Sequence, residues 1–180
     1  LNLNNLVTEL LDLSRIESGL ISHEKEQVDM GKLLAEQLVF HVPYGADKNI
    51  NIQLNCPNDL PSILANQQNM EEVFSNLITN AIKYSPRGSS VVISAIVENE
   101  YIKIQLADTG YGISDEDIEK IFTRFYRAKD SNTREIQGTG LGLAIVKSII
   151  ESHHGKISVA SEVGNGTTFT VLLPLSDGQS

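Results

Sequence analysis

The segment from residue 138 to residue 150, GTGLGLAIVKSII, places three glycines within five residues, directly before an apolar helical repeat. Glycine is a poor helix former, so a cluster of glycines at a helix start needs a physical reason. A flexible hinge before a packed helix is one such reason. Anion binding is the other, because backbone N–H groups that carry no neighbouring Cβ can approach a bulky anion at a helix N-terminus. These residues alone leave both interpretations open.

A second chemical pattern lies on the segment QNMEEVFSNLITNAIKYS, residues 68–85, whose apolar spacing predicts a helix. Asn76, Asn80 and Lys83 fall within about 60° of one another around its axis, at one edge of the apolar face. Asparagine is unfavourable in mid-helix, but its amide oxygen is a neutral ligand for Mg²⁺, and lysine supplies a positive charge for phosphate. For any one of these residues alone, the alternative is a solvated helix edge.

The segment DTGYGI, residues 108–113, ends an alternating strand. The alternation over residues 102–106 predicts that Asp108 points inward, and a buried carboxylate needs a donor such as the amine of adenine or an ordered water. Gly110 and Gly112 predict a tight turn that lets a flat ligand approach. The alternative for D-x-G-x-G is an ordinary turn at the end of a strand.

The polar stretch IFTRFYRAKDSNTREIQGTG, residues 121–140, combines aromatic side chains with cations and lacks periodicity. This composition favours a lid, in which the aromatics anchor the loop and the cations face a ligand; the alternative is a solvated loop with one anchor. The cations are Arg124, Arg127, Lys129 and Arg134, and the aromatics are Phe122, Phe125 and Tyr126. Further on, EVGNGTTF places Gly164 and Gly166 in a predicted hairpin turn before the last strand.

The segments around these motifs show either the two-residue period of a strand or the 3.6-residue period of a helix. Strands are predicted at NINIQLN, SILAN, SSVVISAIVE, YIKIQLA, GKISVAS and GTTFTVLLP, and helices at VDMGKLLAEQLVFHV, at residues 68–85, after the capping residue Ser114, and at residues 141–153. Hairpins with helices gathered between them predict an α+β fold, a two-layer α/β sandwich. Apolar spacing over residues 1–20 predicts a separate helix. We expect a linker at residues 21–27, the main domain at residues 28–175 and a tail at residues 176–180.

Composition limits the class of protein. The 180 residues suffice for one domain with a small appendage, and the single cysteine, Cys56, excludes an internal disulfide. The 14 basic residues are scattered against 23 acidic ones, a net charge of -9, so nucleic acid is not the expected partner. No apolar run is long enough to span a bilayer. We expect a cytoplasmic domain, with membrane anchoring left open for a longer protein.

Four motifs occur in the order found in one protein family. NLITNAIKYS, DTGYGI, IFTRFYR and the glycine-rich segment before the predicted helix at residues 141–153 resemble the N, G1, F and G2 boxes of sensor histidine kinases, and EVGNGTTF resembles the G3-like turn. The resemblance covers residues 26–174. LNNLVTELLDLSRIESG similarly resembles the second helix of the dimerisation and phosphotransfer hairpin of that family. The fold implied is the Bergerat-type ATP-binding sandwich of gyrase, Hsp90 and MutL, a mixed sheet with helices on one face, here preceded by a helix.

The resemblance also implies roles for individual residues. Asn80 would coordinate Mg²⁺, Asp108 would accept a hydrogen bond from the adenine amine, and Asn76, Lys83 and Arg127 would form the catalytic group. The implied nucleotide-binding set is Asn76, Asn80, Lys83, Tyr84, Asp108, Gly110, Gly112, Ile113, Phe125, Tyr126, Arg127, Gly138, Thr139, Gly140, Leu141, Gly142 and Thr167. Asn76 stands where the ATP hydrolases of the superfamily carry a glutamate that activates water, which favours transfer over hydrolysis.

The implied reaction is transfer of the γ-phosphoryl of Mg-ATP to a histidine, for relay to an aspartate in the receiver domain of a response regulator. The implied partners are ATP or ADP, that receiver domain and, in a full-length kinase, a second copy bound through the hairpin. None of His23, His41, His153 and His154 is followed by the pattern H-E-[LI]-R-x-P-L, so we expect no phosphoacceptor in this chain and no self-phosphorylation. The alternatives are a degenerate interaction module, an anti-sigma-type serine kinase and, least favoured, a hydrolase of the gyrase or chaperone kind.

Overall fold

The computed structural model describes residue 7, residues 24–128, residue 136 and residues 138–175. The segment predicted as a separate helix therefore lies outside the described residues, apart from Val7, which is helical and exposed. The same holds for the tail at residues 176–180, for His23, and for Lys129 and Arg134 in the predicted lid.

A five-stranded sheet forms one layer, with the strand order β2-β4-β5-β7-β6. Its strands are β2 (Asn51–Asn55), β4 (Ser90–Glu98), β5 (Tyr101–Asp108), β6 (Lys156–Glu162) and β7 (Gly166–Pro174). β2 pairs with β4 in parallel and all other neighbours are antiparallel, so the sheet is mixed as predicted. The β4–β5 hairpin turns at Asn99, whose φ of 55° lies in the left-handed region.

In the described part of the chain, three helices form the second layer: α1 (Met30–Ala46), α2 (Gln67–Lys83) and α4 (Gly142–Ser152). A fourth, short helix, α3 (Asp115–Ile118), follows the Asp108 turn. Along β5, even-numbered positions are buried and odd-numbered ones are not, because the helices of the described ranges cover one face of the sheet. The core lies between the layers, and the predicted α+β two-layer sandwich is confirmed.

The N-terminal edge differs from the sequence expectation. Strand β1 (Glu26–Val28) pairs antiparallel with β3 (Ile63–Ala65), so the packed structure begins inside the segment predicted as a linker. Three residues carry too short a periodic pattern to predict a strand from sequence. Helix α1 begins after Asp29, whose side chain accepts from the backbone of Lys32, and it continues through Pro43 beyond its predicted end.

Helix α2 carries the predicted amphipathic pattern. Asn66 caps it, since its Oδ1 accepts from the backbone N–H of Asn69 at 2.9 Å. Val73, Phe74 and Leu77 are among the buried side chains that hold it against the sheet. Asn76, Asn80 and Lys83 lie at one edge of this buried face.

Candidate functional site

Asp108, at the end of β5, is buried as its register predicts. Its Oδ1 accepts from the backbone N–H of Gly110 at 2.8 Å and from that of Thr167 at 3.2 Å. Burial raises the pKa of the carboxyl, and these two N–H groups act in the opposite direction. Among the described residues no hydrogen bond reaches Oδ2. The backbone donors were not foreseen from sequence, because Thr167 becomes a neighbour only when β7 pairs with β5.

The turn after Asp108 lies directly against the end of α2. The backbone N–H of Tyr111 donates to the carbonyl oxygen of Tyr84 at 3.0 Å. A Cβ on Gly110 would lie 2.5 Å from that same oxygen and 2.9 Å from the Oγ of Ser85, so only glycine fits there. The Ser85 hydroxyl is itself buried without a hydrogen-bond partner in the described part of the chain. N-box and G1-box residues are therefore in contact.

The β6–β7 hairpin supports the Asp108 turn from the other side. The backbone N–H of Gly164 donates to Tyr111 O at 2.8 Å, and that of Ile113 donates to the Oγ of Ser161 at 2.9 Å. A Cβ on Gly166 would overlap the carbonyl of Asp108, whereas one on Gly164 would meet open space. The predicted turn is confirmed, and only one of its two glycines is held by a close approach.

The polar edge of α2 meets the glycine-rich segment. Asn76 donates through Nδ2 to the carbonyl of Glu72 at 3.0 Å, and a Cβ on Gly142 would lie 2.8 Å from Asn76 Oδ1. Asn80 is half-buried, and its side chain makes no hydrogen bond to another described residue; Lys83 is exposed. The structure thus brings one of the predicted asparagines onto the first residue of α4.

The glycine-rich segment leaves the start of α4 without a capping side chain. Leu141 occupies the N-cap position, and no side-chain hydrogen bond caps the helix. Thr139 turns its Oγ1 towards Leu141 N, at 3.3 Å. Gly140 adopts a φ of 76°, and its carbonyl accepts from the backbone N–H of Phe125 at 2.9 Å, while Gly138 faces open space. The first-turn N–H groups are those that bind anions at helix N-termini.

The predicted lid is anchored at two points in its described part. Phe122 packs edge-on against Phe169 of β7, with ring centroids 6.4 Å apart. Tyr126 donates its hydroxyl hydrogen to Asp117 Oδ1 at 2.5 Å, which lowers the pKa of Asp117 and raises that of Tyr126. The partner of Tyr126 was not foreseen, because α3 looked only like a short acidic helix in sequence.

Two further residues of the F box point away from the body of the domain. Phe125 is 53% exposed and adopts a φ of 62°, which is strained for a bulky side chain. The Arg127 guanidinium donates to the carbonyl of Ile136 across the loop. Arg127 is exposed, so its charge borders solvent rather than the core.

Two of the histidines are buried and hydrogen-bonded. His41 is buried and contacts the carbonyl of Gln37 and the Oγ of Ser75 through its two ring nitrogens. His153 is also buried, and its Nε2 accepts from the backbone N–H of Asn66. His154 is exposed. Within the described ranges, no helix has the length and apolarity needed to cross a membrane.

Comparison with known proteins places the chain and its fold in one family. The family model of histidine kinase-, DNA gyrase B- and HSP90-like ATPases matches residues 65–177. The chain is 38% identical over 172 residues to the sensor-like histidine kinase SenX3 of Mycobacterium tuberculosis, covering 96% of the chain and 42% of that relative. It is also 38% identical over 173 residues to the sensor protein SrrB of Staphylococcus aureus, with coverage of 96% and 29%. The chain thus spans less than half the length of these curated relatives.

Solved structures agree. Full-length ShkA in complex with AMPPNP superposes with a TM-score of 0.84 at 27% identity, over 99% of this chain and 37% of that one. The catalytic domain of the histidine kinase ThkA superposes with a TM-score of 0.75 at 27% identity, over 85% and 97%. The chain therefore belongs to the family of histidine kinase-, DNA gyrase B- and HSP90-like ATPases, as the ATP-binding catalytic domain of a two-component sensor histidine kinase.

Proposed function

We propose that this domain holds Mg-ATP with the adenine at Asp108 and the phosphates at the start of α4, and passes the γ-phosphoryl to a histidine of its own sensor kinase. The observation that carries the proposal is the hydrogen bonding of the buried Asp108 carboxylate. Within residues 24–128 and 138–175, both hydrogen bonds of this carboxylate use Oδ1, which leaves Oδ2 for the exocyclic amine of adenine. A buried acceptor of this kind discriminates strongly between ligands, because a ligand without the donor leaves it unpaired.

The adenine end is shaped by residues already held in place. Tyr84, at the end of α2, flanks the proposed base site, and Gly110 lets the base approach without a Cβ in the way. Gly112, Ile113 and Thr167 complete the set through the turn and the neighbouring strand. The hydrogen bonds from Tyr111 to Tyr84, from Ile113 to Ser161 and from Thr167 to Asp108 support a site that is formed before the nucleotide arrives.

The phosphate end combines two features. The uncapped N-terminus of α4, with Gly138, Thr139 and Gly140 before it, offers backbone N–H groups and a favourable dipole to the triphosphate. The ammonium of Lys83, one turn beyond Asn80 on α2, is exposed and adds a positive charge.

The donor chemistry of Asn80 fits Mg²⁺. An amide oxygen is a hard, neutral ligand, and this side chain has no hydrogen bond to another described residue. Asn80 would hold the ion together with phosphate oxygens and waters. When bound, Mg²⁺ neutralises charge on the phosphate oxygens.

Asn76 supports transfer rather than hydrolysis. An amide does not take a proton from water, and the Nδ2 of Asn76 is engaged with the carbonyl of Glu72. Arg127 would supply positive charge to the γ-phosphoryl as the lid closes, which requires it to leave the carbonyl of Ile136. Phe125 and Tyr126, which flank it in sequence, would move with the same loop.

The rest of the proposed cycle lies beyond this chain. We place the phosphoacceptor histidine on another helix of the hairpin whose second helix resembles residues 1–20, and the dimer contact on that hairpin. The receiver domain of a response regulator would take the phosphoryl group onto an aspartate, in the cytoplasm.

The test is a calorimetric titration that compares ATP with inosine triphosphate, which lacks the exocyclic amine, both with Mg²⁺. We expect the chain to bind ATP at least about tenfold more tightly than inosine triphosphate, because inosine triphosphate would leave the Asp108 acceptor unpaired. Asp108→Asn should abolish the preference, and Asp59→Asn, the same change at an exposed site, should keep it. Equal binding of the two nucleotides by the unmodified chain would contradict the placement of adenine at Asp108.

A further inference from the structure

Lys48, in the turn after α1, reaches across to the end of α2. Its Nζ lies 3.0 Å from the carbonyl oxygen of Ile82, 3.0 Å from that of Lys83 and 3.1 Å from that of Ser85. An ammonium group has three hydrogens to donate, and here three carbonyl oxygens accept them. None of the sequence motifs includes this lysine.

The location suits a cation. The last carbonyls of a helix have no partner within the helix, and the C-terminal end favours positive charge. Burial, and after it the positive charge of Arg87, lower the pKa of Lys48, which is the direction expected when an ammonium leaves solvent. The contact is reinforced in the reverse direction, because the carbonyl of Lys48 accepts from the backbone N–H of Gly88 at 2.9 Å.

The segment held in this way borders the proposed adenine site. Ser85 follows Tyr84, whose carbonyl accepts from Tyr111 and lies against Gly110. Gly110 in turn donates to Asp108 Oδ1. A displacement at the end of α2 would therefore move the turn that orients the Asp108 carboxylate.

We propose that Lys48 is a positioning residue for adenine recognition, which holds the end of α2 so that the Tyr84–Gly110 contact orients Asp108. This inference rests on the proposed function, because it concerns the same nucleotide site. Lys48 acts through the carbonyls of Ile82, Lys83 and Ser85.

The experiment is a calorimetric titration of Mg-ATP and Mg-inosine triphosphate into the chain, Lys48→Met, Lys48→Arg and Lys103→Met. Methionine keeps the apolar stem of Lys48 but donates no hydrogen bond, whereas arginine still donates to carbonyls. Lys103 is a matched control: its Nζ also donates, to Glu98 at 3.0 Å, and it lies about 17 Å along β5 from Asp108.

We expect Lys48→Met to bind Mg-ATP about tenfold more weakly and to lose most of the preference for ATP over inosine triphosphate, because Asp108 is no longer held in line. The affinity of Lys48→Arg for Mg-ATP should stay within about threefold of that of the unmodified chain, and the affinity of Lys103→Met should equal that of the unmodified chain. A purely structural effect would reduce the number of binding sites per chain and leave the nucleotide preference of the folded fraction unchanged.

The inference is overturned if Lys48→Met binds Mg-ATP within about twofold of the unmodified chain with its preference intact. Should Lys48→Met not fold, Lys48→Gln replaces it: its amide is shorter and has two hydrogens for three carbonyl acceptors, so its preference for ATP must fall below that of Lys48→Arg. If the unmodified chain itself fails to distinguish ATP from inosine triphosphate, the proposed adenine site is wrong, and the role of Lys48 falls with it. The two failures are thus separated by the unmodified chain alone.

Discussion

The first residue of α4 lies against the middle of α2: a Cβ on Gly142 would be 2.8 Å from the Oδ1 of Asn76. The Asn76 amide is also tied to its own helix, through Nδ2 and the carbonyl of Glu72. The glycine-rich segment and the asparagine edge of α2 therefore meet with no side chain from α4 between them.

Gly142→Ala should separate folding from nucleotide binding. Alanine favours the helix by about 1 kcal/mol, so the thermal midpoint should hold or rise. The added methyl group would push the Asn76 amide aside, so the affinity for Mg-ATP should fall, as measured by calorimetry. Gly31→Ala, the same change in the first turn of α1, where a Cβ would make ordinary contacts at 3.4 Å or more, is the control and should bind as the unmodified chain does. Unchanged binding by Gly142→Ala would show that Asn76 is not needed where it lies.

Asp108→Asn should make the domain more stable at neutral pH. Burial raises the pKa of Asp108 in the folded state, so the charged carboxylate costs stability. The contribution of Asp108 is most favourable below its unfolded pKa of about 3.9 and is lost as pH rises through the folded value. Asparagine keeps an oxygen for Gly110 and Thr167 and carries no charge.

Urea unfolding of the two proteins across this pH range measures that effect. The free energy of unfolding of Asp108→Asn should exceed that of the unmodified chain at pH 7, and the difference should narrow as pH falls below the folded pKa. Asp59→Asn, at an exposed position, should show no such trend. A variant that is less stable at pH 7 would mean that the two backbone N–H groups outweigh the effect of burial.

The two glycines of the β6–β7 hairpin should respond differently to alanine. Gly164 and Gly166 have φ values of 84° and 102°, so both substitutions strain the backbone, by about 1 kcal/mol or more. At Gly166 the methyl group would also overlap the Asp108 backbone, which cannot move like a side-chain end. We expect Gly166→Ala to lower the free energy of unfolding by at least about 2 kcal/mol more than Gly164→Ala in urea melts. Equal losses would leave backbone strain alone as the cause.

Tyr126→Phe should return the pKa of Asp117 towards its ordinary value, because the Tyr126 hydroxyl is the main cause of its lowering. A carboxyl with a lowered folded pKa stabilises the fold above its unfolded pKa, and that contribution disappears as pH falls through the folded value. NMR titration of the Asp117 side-chain carbon reports the change directly. Tyr101→Phe, at the start of β5, should leave the pKa of Asp117 unchanged. An unshifted Asp117 would place Tyr126 away from α3 in solution.

The local spacing of residues was sufficient to predict the direction of many side chains. A period of two along residues 102–106 places Asp108 inward, and a period of 3.6 places Asn76, Asn80 and Lys83 on one edge of α2, because side-chain direction follows directly from backbone geometry. The order of the four boxes identified the family, and the family comparison confirmed it. Strand β1 was not predicted from the sequence, because it is three residues long and depends on pairing with β3.

What tertiary structure alone decided is which distant groups meet. Thr167 supports Asp108 across 59 positions of sequence, Gly142 lies on Asn76, and Lys48 joins the end of α2. Such contacts depend on strand pairing and helix packing, and local periodicity does not specify them. The sequence by itself therefore determined which side chains point inward or share one helix edge, and what chemistry they offer. The packing of distant elements determined which of them are held, by what, and which atoms remain for a ligand.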